Sequence, residues 1–176
     1  MSEMPSPGSL LLDALYRGDR EAVEAQLAEA TDLTIFEAAA VGNAGRVHQL
    51  LLLEPGFVDQ WSPDGFTALQ LAAFFGHEEV AAELLRRGAD VHAVARNPLR
   101  VQALHSAAAG GHTEVARLLL EHGADPNARQ EGGFAPIHSA AQSGNEELYD
   151  LLLASGADQD AAAEDGRTAA DFRAAP

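Results

Sequence analysis

Residues 62–93 read SPDGFTALQLAAFFGHEEVAAELLRRGADVHA, and altered copies of this stretch recur along the chain. The Gly-Ala-Asp run that ends at Asp90 returns with its last residue at Asp125 and again at Asp158, which are spacings of 35 and 33 residues. A period of this length indicates a solenoid, in which each repeat buries its apolar face only against its neighbours.

Several motifs recur together at this spacing. The run Thr67-Ala68-Leu69-Gln70 is followed by Ala72-Ala73, Gly76-His77 and Gly88-Ala89-Asp90-Val91, and similar helix starts occur at Ala103-Leu104-His105 and Pro136-Ile137-His138. This pattern resembles the ankyrin repeat over roughly residues 31–176, although residues 67–70 differ from the family's T-P-L-H at two places. The resemblance implies an all-α solenoid of stacked antiparallel helix pairs with projecting β-hairpin or turn fingers.

The sequence predicts a flexible N-terminal lead at 1–9 and a single repeat domain at 10–176. Polar residues on the two outermost pieces favour caps that close the stack against water, and two capped ends predict a monomer. In order, the domain comprises an N-terminal cap pair at 10–30, repeats at 31–61, 62–94, 95–128 and 129–161, and a partial C-terminal cap at 162–176.

The composition is strongly acidic, with 27 Asp and Glu against 11 arginines and no lysine, and a formal net charge of −16. This charge predicts repulsion from nucleic acid and from anionic membranes, so we expect neither as a partner. The absence of cysteine fits a reducing compartment. With no signal-like start and no apolar run of about 18 residues, we expect a cytoplasmic protein.

Seven histidines raise the alternative of a metal site. His77 and His112 occupy equivalent repeat positions, as do His105 and His138, so each pair should lie roughly 10 Å apart. One ion with ligand distances of about 2 Å does not bridge that span. The resemblance instead implies that His105 and His138 form hydrogen bonds within and between fingers.

Catalytic motifs of the common nucleophile, phosphate-binding and zinc-protease types do not occur in the sequence. Ser106 and Ser139 each follow a histidine directly, but neighbouring residues of a helix point in different directions and do not pair as nucleophile and base. We therefore expect a protein that is not an enzyme and that uses neither a cofactor nor a metal.

The resemblance also assigns a candidate binding surface, the concave side formed by the fingers and the first helix of each pair. Five of the chain's ten aromatic residues lie at variable positions of this side, which favours an interface with another protein. The predicted partner-binding residues are Trp61, Phe66, Phe74, Phe75, Arg96, Arg100, Val101, Arg129, Phe134 and Gln142.

Two points stay open at this stage. We favour the interface, but Phe66 and Phe134 are also compatible with packing along neighbouring fingers, and one of Phe74 and Phe75 with packing back into the helix pair. The finger at 95–102 is two residues longer than the next one, which fits either contact with a partner or neutral drift. We predict an adaptor or regulatory subunit that binds a partner protein. The alternative is a small-ligand or metal-binding repeat protein that uses the same groove and its histidines.

Overall fold

The computed structural model describes residues 9–30 and 32–173. Residues 1–8 of the predicted lead and residues 174–176 of the predicted C-terminal cap lie outside the described residues. The described helices are α1 Ser9–Tyr16, α2 Arg20–Glu29, α3 Ile35–Ala40, α4 Ala44–Leu53, α5 Ala68–Phe75, α6 Glu78–Arg86, α7 Ala103–Gly110, α8 Thr113–Glu121, α9 Pro136–Ser143, α10 Glu146–Ala154 and α11 Ala169–Arg173, with short 3-10 helices at Pro55–Asp59 and Glu131–Gly133.

The helices form two layers. Helices α3, α5, α7, α9 and α11 pack side by side in an inner layer, and α4, α6, α8 and α10 pack in an outer layer. One apolar core runs continuously between the layers, and its alanines, including Ala72, Ala107 and Ala140, let neighbouring helices approach closely. This arrangement confirms the predicted all-α solenoid of antiparallel helix pairs.

Local sequence signals set the ends of α5, the first helix of the near-consensus repeat. The Thr67 hydroxyl accepts a hydrogen bond from the Gln70 amide at 3.2 Å, and the Gln70 side chain accepts one from the Thr67 amide at 3.0 Å. This reciprocal cap satisfies two amides that the first turn leaves without helical partners. Helix α5 ends at Gly76, whose φ of 79° lies in the left-handed region that glycine adopts without strain.

Buried polar side chains at one repeat position of α5, α7 and α9 join these helices to the following finger. We call Gln70, His105 and His138 the seam. The Gln70 amide group donates to the carbonyls of Ala93 and Val101 at 2.8 and 3.0 Å.

The imidazoles bond in the same pattern, with Nε2 of His105 donating to Ala128 at 3.0 Å and Nε2 of His138 donating to Ala161 at 3.1 Å. These bonds confirm the role expected for the two histidines.

The hydrogen bonds of His105 fit the neutral form of its ring. In His105, Nδ1 accepts a hydrogen bond from the Gln102 amide at 3.2 Å while Nε2 donates to carbonyls, so adding a proton at Nδ1 would break the Gln102 bond. Burial is the main reason that the pKa of His105 falls to about 4 from its ordinary 6.5, against the smaller opposing effect of the carbonyl partners.

The fingers are turns, each closed by one backbone hydrogen bond. An isolated antiparallel bridge joins Trp61 and Thr67 at the base of the first complete finger. Successive fingers are also tied together, because the amides of Arg96, Glu131 and Glu164 donate to the carbonyls of Gly65, Leu99 and Gly132 at 2.8, 3.2 and 2.9 Å. The closing bonds run from the amides of Ser62, Ala95, Gln130 and Ala163 to the carbonyls of Phe66, Val101, Phe134 and Arg167.

The N-terminal pair contacts the stack through α1. Leu12 of α1 packs with Ala40 of α3 and Leu71 of α5, on the inner side of the stack. Helix α2 buries none of its residues, so α1 makes the apolar contact for the pair. The role of this pair as a cap stays a prediction.

The seam generates a pH prediction. We expect His105→Gln to keep the fold near neutral pH, because Gln70 already makes the equivalent three bonds. In the wild type, the unfolded chain protonates this imidazole below about pH 6.5 while the folded chain resists until about pH 4. The free energy of unfolding therefore decreases as the pH falls from 6.5 toward about 4, because the unfolded chain gains a proton that folded His105 does not take up. The total decrease from this residue is about 3 kcal/mol.

Urea unfolding of both proteins at neutral pH and at several values down to about pH 4 measures this difference. The expected result is a shallower decline in the free energy of unfolding for His105→Gln. Parallel declines of the two proteins would show that the imidazole is not held neutral in this way.

Candidate functional site

The inner face of the stack changes character from α5 to α9. Helix α5 presents large apolar side chains at two repeated positions, α7 presents small ones, and α9 presents polar ones. A recess therefore opens over α7, beside the large side chains of α5. The two sets of equivalent positions are Leu71, Ser106 and Ser139, and Phe74, Ala109 and Gln142.

This recess is an open groove with a volume of about 490 Å³. The volume lies within the range of about 300–1,000 Å³ that binding sites for small groups commonly have. Aromatic and aliphatic side chains make up most of its wall. We call it the groove, and its lining residues are Tyr16, Phe66, Gln70, Leu71, Phe74, Leu99, Val101, His105, Ser106, Ala109, Gln130 and Ser139.

Tyr16, at the end of α1, completes one wall of the groove. Its ring centroid lies 6.3 Å from that of Phe74 and 5.7 Å from that of Phe75, and its hydroxyl donates to Oδ2 of Asp64 at 3.0 Å. Desolvation raises the pKa of the Tyr16 phenol well above its ordinary value, and the Asp64 carboxylate raises it further. The phenol therefore stays protonated and keeps donating to Asp64.

Three of the predicted partner-binding residues line the groove, namely Phe66, Phe74 and Val101. Phe74 is 39% exposed and presents the largest free apolar surface of the three, whereas Val101 is only 9% exposed. Phe75 turns back toward the helices and packs against the cluster of Leu12, Ala40 and Leu71. Of the two adjacent phenylalanines, Phe74 is therefore the one that faces the groove.

Trp61 lies between fingers and does not line the groove. Its indole Nε1 donates to the carbonyl of Val94 at 3.2 Å, and the guanidinium of Arg96 lies 3.5 Å from the centre of its ring. Both contacts hold Trp61 and Arg96 against neighbouring parts of the stack.

Phe134 and Gln142 belong to a second, smaller recess of about 250 Å³ near α11. There the Phe134 ring packs edge to face against Phe172, with 6.0 Å between centroids. Arg129 donates to the carbonyls of Gly133 and Ala162, and Arg100 is exposed with a φ of 51°. The structure thus brings together only part of the predicted set.

Sequence reasoning did not single out Tyr16, Leu71, Leu99 or Gln130, all of which line the groove. Leu99 is 55% exposed and lies in the longer finger, so the length of that finger was a signal for it. Leu71 was detectable as the one large apolar residue at a position where later repeats carry serine. Tyr16 was not detectable from the sequence, because its hydrogen-bond partner Asp64 is 48 residues away in the chain.

The four histidines considered as metal ligands are engaged with backbone carbonyls. Nε2 of His77 bonds to Ala40 at 2.9 Å, and Nε2 of His112 bonds to Phe74 at 3.0 Å, in addition to the seam bonds of the other two. Residues 9–30 and 32–173 contain no cluster of three or more side chains suited to a metal ion. None of the helices described is both long and apolar enough to cross a membrane.

The Tyr16 contact generates a prediction about α1. We expect Tyr16→Phe, which loses only the bond to Asp64, to speed amide hydrogen exchange in α1 about fivefold, equivalent to about 1 kcal/mol. Tyr16→Ala also removes the ring contacts and should speed it further. Exchange in α7 is the internal control. Unchanged exchange in α1 of Tyr16→Ala would contradict the assigned contact.

Comparison with known families identifies the repeats. A family model described as ankyrin repeats (3 copies) matches residues 94–165, and a model described as ankyrin repeat matches residues 64–96. A search among curated proteins found no match. The matched residues include the seam, the groove wall formed by α5 and α7, and the longer finger. These two matches, together with the stacked helix pairs, show that the chain belongs to the ankyrin-repeat family.

Proposed function

We propose that this chain is a non-enzymatic adaptor or regulatory subunit that binds another protein through the groove. Ankyrin repeats are generally protein-protein interaction modules, which supports the class of function. The main support for this site is the open apolar groove beside Phe74. It lies on an inner face whose equivalent side chains are small on α7 and polar on α9.

The frame around the groove favours tight binding. The seam and the bonds between fingers hold the walls in place before a partner arrives, so little ordering entropy opposes association. Apolar anchors in well-packed pockets dominate the binding energy of most interfaces. Phe66, Phe74, Leu99 and Val101 are the anchors in this proposal. Trp61, Phe75, Arg96, Arg100, Arg129, Phe134 and Gln142 lie outside the groove lining and support or surround it.

The alternative of a small ligand has less support, because such sites need polar groups free to orient the ligand. Two of the polar residues in the wall, Gln70 and His105, already use their side-chain donors on backbone carbonyls of the protein. The histidines suggested as metal ligands are engaged in the same way. The cysteine-free composition supports a reducing compartment such as the cytoplasm, and we propose a monomer.

Affinity capture from the native cell, followed by mass spectrometry, tests this function. We expect Phe74→Ala to lose at least about tenfold in affinity for the captured partner, since truncating a central aromatic anchor removes about 2 kcal/mol or more. Leu53→Ala is the matched control, because Leu53 is 79% exposed on α4 of the outer layer.

Thermal unfolding establishes that both variants remain folded. The proposal predicts that the control retains the partner. Equal recovery of the partner by the wild type and by folded Phe74→Ala would show that the groove is not part of the binding site.

A further inference from the structure

The longer finger has an unusual charge for this chain. Residues 95–102 include Arg96 and Arg100 and no carboxylate, although the whole chain carries 27 acidic residues against 11 arginines. The next finger adds Arg129. Together the two fingers thus carry three arginines against one carboxylate, Glu131, in an acidic protein.

These finger arginines form no ion pair with any residue of 9–30 or 32–173. Arg96 stacks on Trp61, Arg129 donates to backbone carbonyls, and Arg100 is exposed. With so many carboxylates in the chain, pairing is the common outcome elsewhere. The arginines that do pair with a carboxylate are Arg46, Arg86, Arg87, Arg117, Arg167 and Arg173.

Two of the finger arginines, Arg100 and Arg129, are next to groove-lining residues in the chain. Arg100 stands between Leu99 and Val101, which both line the groove, and Arg129 precedes Gln130, which also lines it. The amide of Glu131 donates to the carbonyl of Leu99, so the two fingers are joined at this point. Apolar wall and positive charge are therefore parts of one surface.

The carboxylates near this surface include Asp13 and Asp64, whose charges act on the Tyr16 phenol, and Glu131. Asp64 accepts hydrogen bonds from Tyr16 and Ser62, while Glu131 is exposed on the same finger as Arg129. Many other acidic groups, such as Glu78 and Glu146, begin helices of the outer layer. Charges farther away than a screening length of about 8 Å act weakly at physiological ionic strength. The net charge of −16 thus leaves room for a local attraction at the fingers.

We propose that the groove takes an acidic peptide segment of the partner, which places one large apolar side chain against Phe74 and carboxylates against the finger arginines. This inference rests on the proposed function and specifies the chemistry of the partner. The apolar contact continues one that the chain already makes, because Tyr16 of α1 packs on the same wall. Carboxylates would supply the ion pairs that the finger arginines lack.

Selection from a random peptide library against the immobilised full chain tests this inference without knowledge of the partner. The expected peptides carry Asp or Glu on either side of an aromatic or large aliphatic residue. We then measure the dissociation constant of the best synthetic peptide for the wild type and for Phe74→Ala, Arg100→Glu and Arg20→Glu. Arg20→Glu is the matched control, because it changes the net charge by the same amount as Arg100→Glu. Arg20 is also exposed, and it lies at the start of α2 and outside the groove lining.

We expect Arg100→Glu to weaken binding about tenfold and Arg20→Glu to change it less than about twofold, with binding weaker at high salt. Selected peptides that are basic or uncharged would overturn the acidic class. Equal effects of Arg100→Glu and Arg20→Glu would also overturn it, since they would show that only net charge matters.

The same variants distinguish the failure of this inference from the failure of the proposed function. Peptides that depend on Phe74 but not on Arg100 would leave the groove in place and exclude the acidic partner. Peptides that ignore Phe74 would remove the groove itself. If no peptide is selected, the inference is wrong, and binding of an anilinonaphthalene sulfonate dye to the wild type but not to Phe74→Ala would show that the groove is still an accessible apolar site.

Discussion

The central part of the stack depends on hydrogen bonds from one buried side chain in each of three successive repeats to the following finger. Gln70, His105 and His138 each occupy the third position of an inner helix, and each is 2% exposed or less. A buried polar group without a partner is destabilising by about 1–3 kcal/mol, so these side chains must find acceptors. The acceptors they use are carbonyls of the next finger, and satisfying them fixes where that finger lies. Adjacent repeats are thereby joined by polar bonds as well as by the apolar core.

Once the spacing of the fingers is fixed, the size of side chains at two repeated positions decides the shape of the inner face. The large side chains of Leu71 and Phe74 on α5 lie next to the small side chains of Ser106 and Ala109 on α7. The space that the small side chains leave unfilled is the groove. Phe74, Ser106 and Ala109 can change without altering the core between the layers, because that core is formed by other residues, whereas Leu71 also belongs to the buried cluster with Leu12 and Ala40. This separation is what allows one repeat frame to carry different binding surfaces.

The sequence predicted the repeated features of the fold better than the unrepeated ones. The helix pairs follow from motifs that return every 33 or 35 residues, and the resemblance to the ankyrin repeat implied the bonds of His105 and His138. Gln70 makes the same bonds with a different side chain, because an amide group offers the same donor and acceptor as a neutral imidazole.

The candidate site was predicted less fully because it depends on contacts that do not repeat. Tyr16 reaches Asp64 and Phe74 from outside the regular stack, and Trp61 finds an acceptor at Val94 and a stacking partner in Arg96. Sequence patterns place residues on a face of the stack, whereas neighbouring side chains decide which of them remain free. Phe74 and Phe75 are adjacent in the chain, yet one faces the groove and the other packs inward.

The nitrogen NMR spectrum of the histidine rings tests the seam most directly. We expect His105 to be neutral near pH 7 with its proton on Nε2, and we expect the Nε2 protons of both His105 and His138 to exchange slowly with water, because each Nε2 donates to a backbone carbonyl. Rings that exchange freely between the two tautomers, or that carry the proton on Nδ1, would contradict this expectation. In that case the fingers would have to be held in place by something other than the seam.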